Sequence, residues 1–167
     1  LWAGGDFDEA GLKAALEEFS GIKRRFECYI NTPKGVYIDD YAHHPRELEA
    51  AIRSIRGMFP ERKLTVAFQP HLYTRTRDFA GDFSRALSLA DNVLLLPIYP
   101  ARELPIEGVT SQMLLADITV PCEIVPKAEL AQRVAEIETD VMVTFGAGDI
   151  DRECDKVAEV VGAKTLA

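Results

Sequence analysis

Apolar residues along this chain follow two patterns, short continuous runs and longer stretches with helical spacing. The continuous runs, at 64–68, 93–96, 122–125 and 141–145, predict buried strands. Between them, apolar residues recur every three or four positions, which predicts helices that cover the strands on one side. Buried strands separated by such helices are typical of βαβ crossovers. The pattern therefore predicts an α/β fold, a doubly wound and mostly parallel sheet.

The segment before these strands predicts a hairpin. Two β-like runs, 26–30 and 36–39, are joined by a turn sequence at 31–35 that contains Pro and Gly. Strands joined so tightly pair antiparallel. We expect the hairpin to add an antiparallel edge to the sheet.

The first twenty residues predict a separate helix. Their apolar positions keep helical spacing as far as Phe19, and Gly21 then ends the helix. Because this helix precedes the α/β pattern and the sequence starts with Leu1 rather than Met, we expect 1–20 to be the terminal helix and linker of a preceding domain. Residues 21–167 are expected to form one domain.

Composition narrows the classes of function. The 167 residues are 47% hydrophobic and carry a net charge of -8. Nucleic-acid-binding proteins neutralise phosphates with Lys and Arg. A chain this acidic is therefore a poor candidate for a nucleic-acid-binding protein. No apolar run is long enough to span a bilayer, and we expect no signal peptide. The cysteines, Cys28, Cys122 and Cys154, have no metal-binding spacing and predict reduced, mostly buried thiols in a cytoplasmic protein.

Polar side chains follow the predicted strands where each strand ends. The segments 39–45, 69–78, 97–103 and 146–149 hold all three histidines and several arginines. In open α/β sheets, ligands bind at the carboxyl ends of the strands. The sequence therefore predicts a site at this edge.

Two of these segments also have simpler interpretations. Asp40 is either a functional carboxylate or the cap of the helix that Pro45 begins. Arg75 and Arg77 lie in a Thr-rich loop before a predicted helix, where their planar guanidinium groups suit a carboxylate or phosphate clamp. The alternative for both arginines is solvated surface charge.

The histidines and the glycine turn also have a second interpretation each. A metal site built from Asp40, His43, His44 and His71 is conceivable, but adjacent histidines usually point apart and no partner carboxylate for each is evident. We therefore expect no metal. The turn at 146–148 either brings backbone close to an anion or simply connects a strand to a helix.

The chain lacks both a Gly-Lys-Ser/Thr phosphate loop and a GxGxxG sequence. A doubly wound domain with anion clamps but no triphosphate cradle suggests half of a shared active site.

Four motifs give the chain a specific resemblance. They are DDYAHHP (39–45), FQPHLYTRTRDF (68–79), IYPARELPIEG (98–108) and FGAGDI (145–150). In order and spacing they resemble the C-terminal domain of the UDP-N-acetylmuramate–L-alanine ligase family, within the Mur ligase superfamily. The segment GIKRRFE, at 21–27, resembles the junction with that family's central ATPase domain.

The resemblance implies a Rossmann-like closing domain of a cytoplasmic three-domain ligase in peptidoglycan precursor synthesis. ATP phosphorylates UDP-N-acetylmuramate, and the amine of L-alanine then attacks the acyl phosphate. ATP and Mg²⁺ are held mainly by the central domain, so this fragment is expected to be inactive alone and to bind no cofactor tightly. Its partners are then these small molecules and its own N-terminal and central domains, with no nucleic acid and no membrane.

The resemblance also implies roles for individual residues. Arg25 contacts the ATP phosphates, and Asp40 accepts a hydrogen bond from the ribose. The amino-acid pocket is implied to consist of Tyr41, His43, His71 and Arg75. Further residues are implied to line the cleft without an assigned role: His44, Arg102, Glu103, Gly146, Gly148 and Asp149.

One departure concerns carboxylate binding, because several relatives carry arginine where this chain has Leu72. Carboxylate binding is then expected to depend more on Arg75. Three alternatives remain beside the main interpretation. They are the related recycling ligase that adds a murein tripeptide, a stand-alone small-anion-binding domain and a metal hydrolase.

Overall fold

A computed structural model describes residues 8–18 and 21–166 of the chain. It contains one six-stranded sheet with helices on both faces. The strands are β1 (Glu27–Asn31), β2 (Val36–Asp40), β3 (Leu64–Phe68), β4 (Asn92–Leu95), β5 (Cys122–Ile124) and β6 (Val141–Phe145). The helices are α1 (Glu9–Glu18), α2 (Pro45–Met58), α3 (Tyr73–Asp78), α4 (Ala80–Leu87), α5 (Gln112–Leu115), α6 (Leu130–Glu136) and α7 (Cys154–Leu166).

The sheet has the strand order β1-β2-β6-β3-β4-β5. Only β1 is antiparallel to its neighbour, and every other pair is parallel. The last strand, β6, lies between β2 and β3, so Asp39 pairs with Thr144 and Val66 pairs with Val143. The predicted mostly parallel α/β sheet with an antiparallel edge hairpin is confirmed.

Apolar side chains fill a core on each face of the sheet. Successive residues of a strand point to opposite faces. Ile38 and Val143 accordingly pack in the core under α2, α4 and α5, whereas Tyr37 and Met142 pack in the core under α6 and α7. Two covered faces explain why the strands read as continuous apolar runs instead of alternating ones.

Helix α2 begins with a complete capping box. The His44 side chain accepts a hydrogen bond from the backbone N–H of Arg46, and the Glu47 carboxylate accepts one from the backbone N–H of His44. Pro45 occupies the first turn, where its lack of an N–H has no cost. The cap is therefore His44, and the alternative that Asp40 caps this helix is wrong.

The Thr-rich segment that holds Arg75 and Arg77 was expected to be a loop before a helix, but it is itself the helix α3. Arg75 and Arg77 lie inside α3, and Phe79 separates α3 from α4. Phe79 has φ -118° and ψ 20°, which interrupts the helical backbone. The Thr-rich sequence of α3 gives no local signal for a helix, because β-branched residues favour helices only weakly.

Helix α1 lies within the segment for which a helix was predicted, and Phe19 lies outside the described residues. Among residues 8–18 and 21–166, no helix combines the length and apolar character needed to cross a membrane.

Replacing Ile52 tests the packing of α2 against the sheet. Ile52 is fully buried, so Ile52→Ala should lower the free energy of unfolding by about 2–5 kcal/mol through lost apolar contacts and a cavity. Arg53→Ala is the matched control on the exposed face of the same helix and should change it by about 0.5 kcal/mol or less. Urea unfolding of both variants measures the difference, and equal stabilities would contradict this placement of α2.

Candidate functional site

Four aromatic rings form a row along the carboxyl edge of the sheet. The ring centroids of Tyr41 and His43 lie 5.2 Å apart, those of His43 and His71 5.8 Å, and those of His71 and Tyr99 5.7 Å. The first two contacts are edge-to-face, and His71 stacks on Tyr99 with an interplanar angle of 22°. The loops after β2, β3 and β4 thus meet as expected.

Backbone hydrogen bonds hold His71 in this row. The N–H of Leu72 donates to the carbonyl of Tyr99 at 3.0 Å, and the N–H of Tyr99 donates to the carbonyl of Pro70 at 2.8 Å. His71 and Tyr99 therefore pair like residues of two parallel strands. Their rings are placed by main-chain geometry and not by side-chain contacts alone.

His71 and Arg75 present buried nitrogen atoms to this edge. No residue that the structure describes forms a hydrogen bond with Nδ1 of His71 or Nη1 of Arg75, although both atoms are buried. Burial and the nearby charges of Arg75 and His43 lower the pKa of His71, and Glu103 partly opposes this. His71 is therefore neutral near pH 7, beside a guanidinium with an unused donor.

Arg24 is a buried hub beneath the site. Its Nε donates to Asp39 Oδ2 at 3.1 Å, and its terminal nitrogens donate to the carbonyls of Gly146 and Gly148. The side chains of Arg24 and Asp39 are only 12% and 1% exposed. Its guanidinium also lies 5.2 Å from the centre of the Tyr41 ring. One side chain therefore ties the segment before β1 to the ends of β2 and β6.

Arg25 lines an open cavity of about 460 Å³ with Phe26, Asp40 and Tyr41. Asp40 accepts hydrogen bonds from the backbone N–H groups of Phe26 and Ala42, each at 2.8 Å. Arg25 is exposed, so its charge is available to a ligand. The arrangement places a cation and a fixed carboxylate in the same cavity.

The glycine turn after β6 packs against the end of β3. A Cβ on Gly148 would lie 2.4 Å from Oε1 of Gln69 and 2.7 Å from the Tyr99 side chain, so only glycine fits. Asp149 accepts a hydrogen bond from Gln69 at 2.9 Å and pairs with Lys127. Gly146 and Gly148 offer their carbonyls to Arg24. The Gly146 N–H also donates to the carbonyl of Asp40 at 3.3 Å, so the turn is held against the ends of β2 and β3.

Three polar residues of the predicted segments lie outside the aromatic row. The His44 ring packs on Phe79 at 5.0 Å and lines a different cavity, beside α4. Arg77 is exposed and pairs with Asp78 at 2.8 Å, which agrees with the alternative that Arg77 is solvated surface charge. Arg102 is exposed and has no side-chain hydrogen bond to the described residues.

The thiols offer no activated nucleophile. Burial raises the pKa of Cys122 to about 11 and that of Cys154 to about 12, and it also raises the pKa of Cys28. Cys28 is exposed, contrary to the expectation of mostly buried thiols, because it lies on the edge strand β1. Within the described residues, no group of three or more His, Cys, Asp or Glu side chains is arranged to hold a metal ion.

Sequence reasoning did not single out Arg24, Thr74 or Tyr99. Thr74 and Tyr99 stand inside the polar segments, and only their contacts distinguish them from their neighbours. Arg24 is adjacent to Arg25 and carries no local signal that one of the two is buried. The one available hint in the sequence is that Asp39, a charged residue, directly follows the apolar residues 36–38 of the strand that Arg24 binds.

Comparison with known proteins identifies the family to which this chain is similar. Residues 24–148 match the family described as Mur ligase, glutamate ligase domain. A UDP-N-acetylmuramate–L-alanine ligase of Cytophaga hutchinsonii is 51% identical over 142 residues, which are 84% of this chain and 30% of that protein. The enzyme of the same name from Parabacteroides distasonis is 48% identical over 151 residues, 90% of this chain and 33% of that protein.

A solved structure agrees with these relatives. The UDP-N-acetylmuramate-alanine ligase of Thermotoga maritima superposes with a TM-score of 0.72 and 29% identity, covering 94% of this chain and 34% of that one. The chain therefore spans about a third of the length of the relatives it matches.

Removing the Arg24 side chain should strongly destabilise the fold. Arg24→Met leaves the Asp39 carboxylate buried without its charge partner, which costs about 3–5 kcal/mol. The neighbouring Arg25→Met, at an exposed side chain, should change the free energy of unfolding by about 0.5 kcal/mol or less. Urea unfolding compares the two, and adding Asp39→Asn to Arg24→Met should recover part of the loss. Equal effects of the two arginine variants would contradict the hub.

The pKa of His71 should lie below its ordinary value near 6.5. Arg75→Gln should raise it, because the variant removes a positive charge that disfavours the imidazolium. Since the unfolded chain binds this proton more readily, His71 should make the fold less stable as the pH falls through this range. NMR titration of the histidine ring protons measures the pKa, and an unchanged value in Arg75→Gln would contradict the contact.

Proposed function

Because the chain belongs to the Mur ligase family through its glutamate ligase domain, we propose that it is the closing, C-terminal domain of an ATP-dependent ligase that joins L-alanine to UDP-N-acetylmuramate. The observation that carries the proposal is the position of Arg75 beside a neutral His71 at the carboxyl edge of the sheet. The relatives named as such ligases support the choice of substrates.

Arg75 and His71 are proposed to receive the carboxylate of L-alanine. The unused Nη1 donor of Arg75 suits a carboxylate oxygen, because charge-assisted hydrogen bonds to guanidinium are strong and directional. His71 is neutral and can donate or accept one hydrogen bond without repelling an amine. Tyr41 and His43 continue the wall of this pocket through their ring contacts.

Arg25 and Asp40 are proposed to serve the ATP side of the cleft. Arg25 is exposed at the mouth of the cavity and suits a phosphate, and the Asp40 carboxylate retains lone pairs for a ribose hydroxyl. Mg²⁺ and most of the triphosphate are proposed to be held by a central domain, since this chain carries no phosphate-binding loop. This chain alone is then inactive.

Helix α1 is proposed to be the last helix of that central domain. Leu12 on α1 is 46% exposed, so it is available to pack against that domain. Residues 21–167 then form the closing domain.

Closure explains why the pocket is built on a separate domain. ATP supplies the phosphoryl group that activates the lactyl carboxylate of the sugar, and the amine of L-alanine displaces phosphate from the resulting acyl phosphate. An acyl phosphate hydrolyses in water, so the cleft must exclude water before the amine attacks. Arg75 and His71 contribute by orienting the amine for its attack. Such orientation of reactants accounts for a large part of an enzyme's rate enhancement.

Arg75→Ala, made in the protein with its upstream domains restored from the native gene, should raise the KM for L-alanine at least tenfold. Loss of one charge-assisted hydrogen bond to a carboxylate costs about 1.5–3 kcal/mol. The KM for UDP-N-acetylmuramate should stay the same. Arg77→Ala is the matched control on the same helix, because Arg77 pairs with Asp78 at the surface. An unchanged alanine requirement in Arg75→Ala would remove Arg75 from the pocket.

The proposed reaction itself is tested by phosphate release from the same restored protein. ATP, Mg²⁺ and UDP-N-acetylmuramate are supplied with L-alanine or with the murein tripeptide in separate reactions. Release that depends on L-alanine supports the proposal. Release that depends only on the tripeptide would assign the chain to the recycling ligase instead.

A further inference from the structure

The loop between β4 and α5 reaches across the site and contacts the start of α3. The Glu103 carboxylate accepts a hydrogen bond from the backbone N–H of Thr74 at 3.0 Å and a second, short one from the Thr74 hydroxyl. The N–H of Glu103 donates to the carbonyl of Pro100 at 2.9 Å, which holds the loop in a tight turn. Glu103 therefore binds two donors of one residue that lies far from it in sequence.

Helix α3 needs such a partner because it lacks a cap of its own. Leu72 is at the N-cap position, where it offers no side-chain acceptor, and its φ of 72° is unfavourable for a leucine. The helix has six residues, which is too short to be stable in isolation. Its first turn thus depends on an acceptor from elsewhere in the fold.

The same loop also places the other half of the pocket. Tyr99 binds the backbone on both sides of His71 and stacks on its ring. Glu103, four residues later, binds the residue directly before Arg75. The two groups proposed to hold the carboxylate are therefore both anchored by residues 99–103.

We propose that Glu103 is a positioning residue that caps α3 from the β4–α5 loop and thereby sets Arg75 and His71 for the substrate carboxylate. This inference rests on the proposed function. It assigns to Glu103 a task in amino-acid binding that it performs through Thr74, without touching the substrate. A carboxylate suits the task, because its two oxygens accept from both donors at once.

The charge of Glu103 has a second, measurable consequence. The carboxylate favours the imidazolium form of His71, and it opposes Arg75 and His43, which lower the pKa of that ring. The hydrogen bonds from Thr74 keep the pKa of Glu103 below its ordinary value, so Glu103 is ionised near neutral pH.

The test uses the protein with its upstream domains restored and measures KM separately for L-alanine, ATP and UDP-N-acetylmuramate. Glu103→Ala should raise the KM for L-alanine about tenfold or more, because a shifted α3 moves Arg75 away from the substrate carboxylate. The KM values for ATP and UDP-N-acetylmuramate should change less than twofold. Glu103→Gln keeps the size of the side chain and should give a smaller rise of the same kind.

Two variants at Thr74 separate positioning from general stability. Thr74→Val removes the hydroxyl and should raise the alanine KM, whereas Thr74→Ser keeps it and should restore the normal value. Combining Thr74→Val with Glu103→Ala should add little to the Glu103→Ala effect, because both disrupt one contact. Glu107→Ala is the matched control, since Glu107 is exposed on the same loop and has no side-chain hydrogen bond to the described residues.

The inference is overturned if Glu103→Ala leaves the KM for L-alanine unchanged. It is also overturned if the variant changes the KM values for L-alanine, ATP and UDP-N-acetylmuramate alike. If the unaltered protein releases no phosphate in response to L-alanine, the proposed function fails instead. NMR titration of the 167-residue chain then still tests the contact: Glu103→Ala should lower the pKa of His71, and an unchanged value would overturn the placement of Glu103.

Discussion

The buried pair of Arg24 and Asp39 is the interaction on which the geometry of the site depends. Arg24 precedes the sheet in sequence, Asp39 lies near the end of β2, and the carbonyls that Arg24 also binds follow β6. A buried charge is tolerated only when its partners are complete. Three segments distant in sequence are therefore fixed relative to one another, and the row of aromatic rings is built on that frame.

The contacts around this frame form a closed circle. Arg24 lies under Tyr41, the aromatic row runs on to Tyr99, Tyr99 packs against Gly148, and the Gly148 carbonyl returns to Arg24. A circle of direct contacts leaves little freedom to any single loop. The edge is therefore preorganised, which suits the role proposed above, the presentation of an oriented amino acid to a reactive partner.

The sequence allowed the strands, the edge hairpin and the convergence of polar segments to be predicted, because these follow from hydrophobic periodicity and from the rule for parallel sheets. It did not reveal that β6 lies between β2 and β3, since periodicity carries no information on strand order. Helix α3 was missed because Glu103 stabilises it from a distant loop. Arg24 was not separated from Arg25, because the two differ only in tertiary environment.

The position of β6 also has a consequence for how the chain folds. β2 and β3 cannot complete their hydrogen bonding until β6, which lies 105 positions after β2 and 77 after β3, has joined the sheet. Such high contact order slows folding, since loop closure must come before the stabilising contacts. During synthesis the edges of β2 and β3 that pair with β6 stay unpaired until residues 141–145 have left the ribosome. The nascent domain is therefore most prone to aggregation just before this last strand emerges.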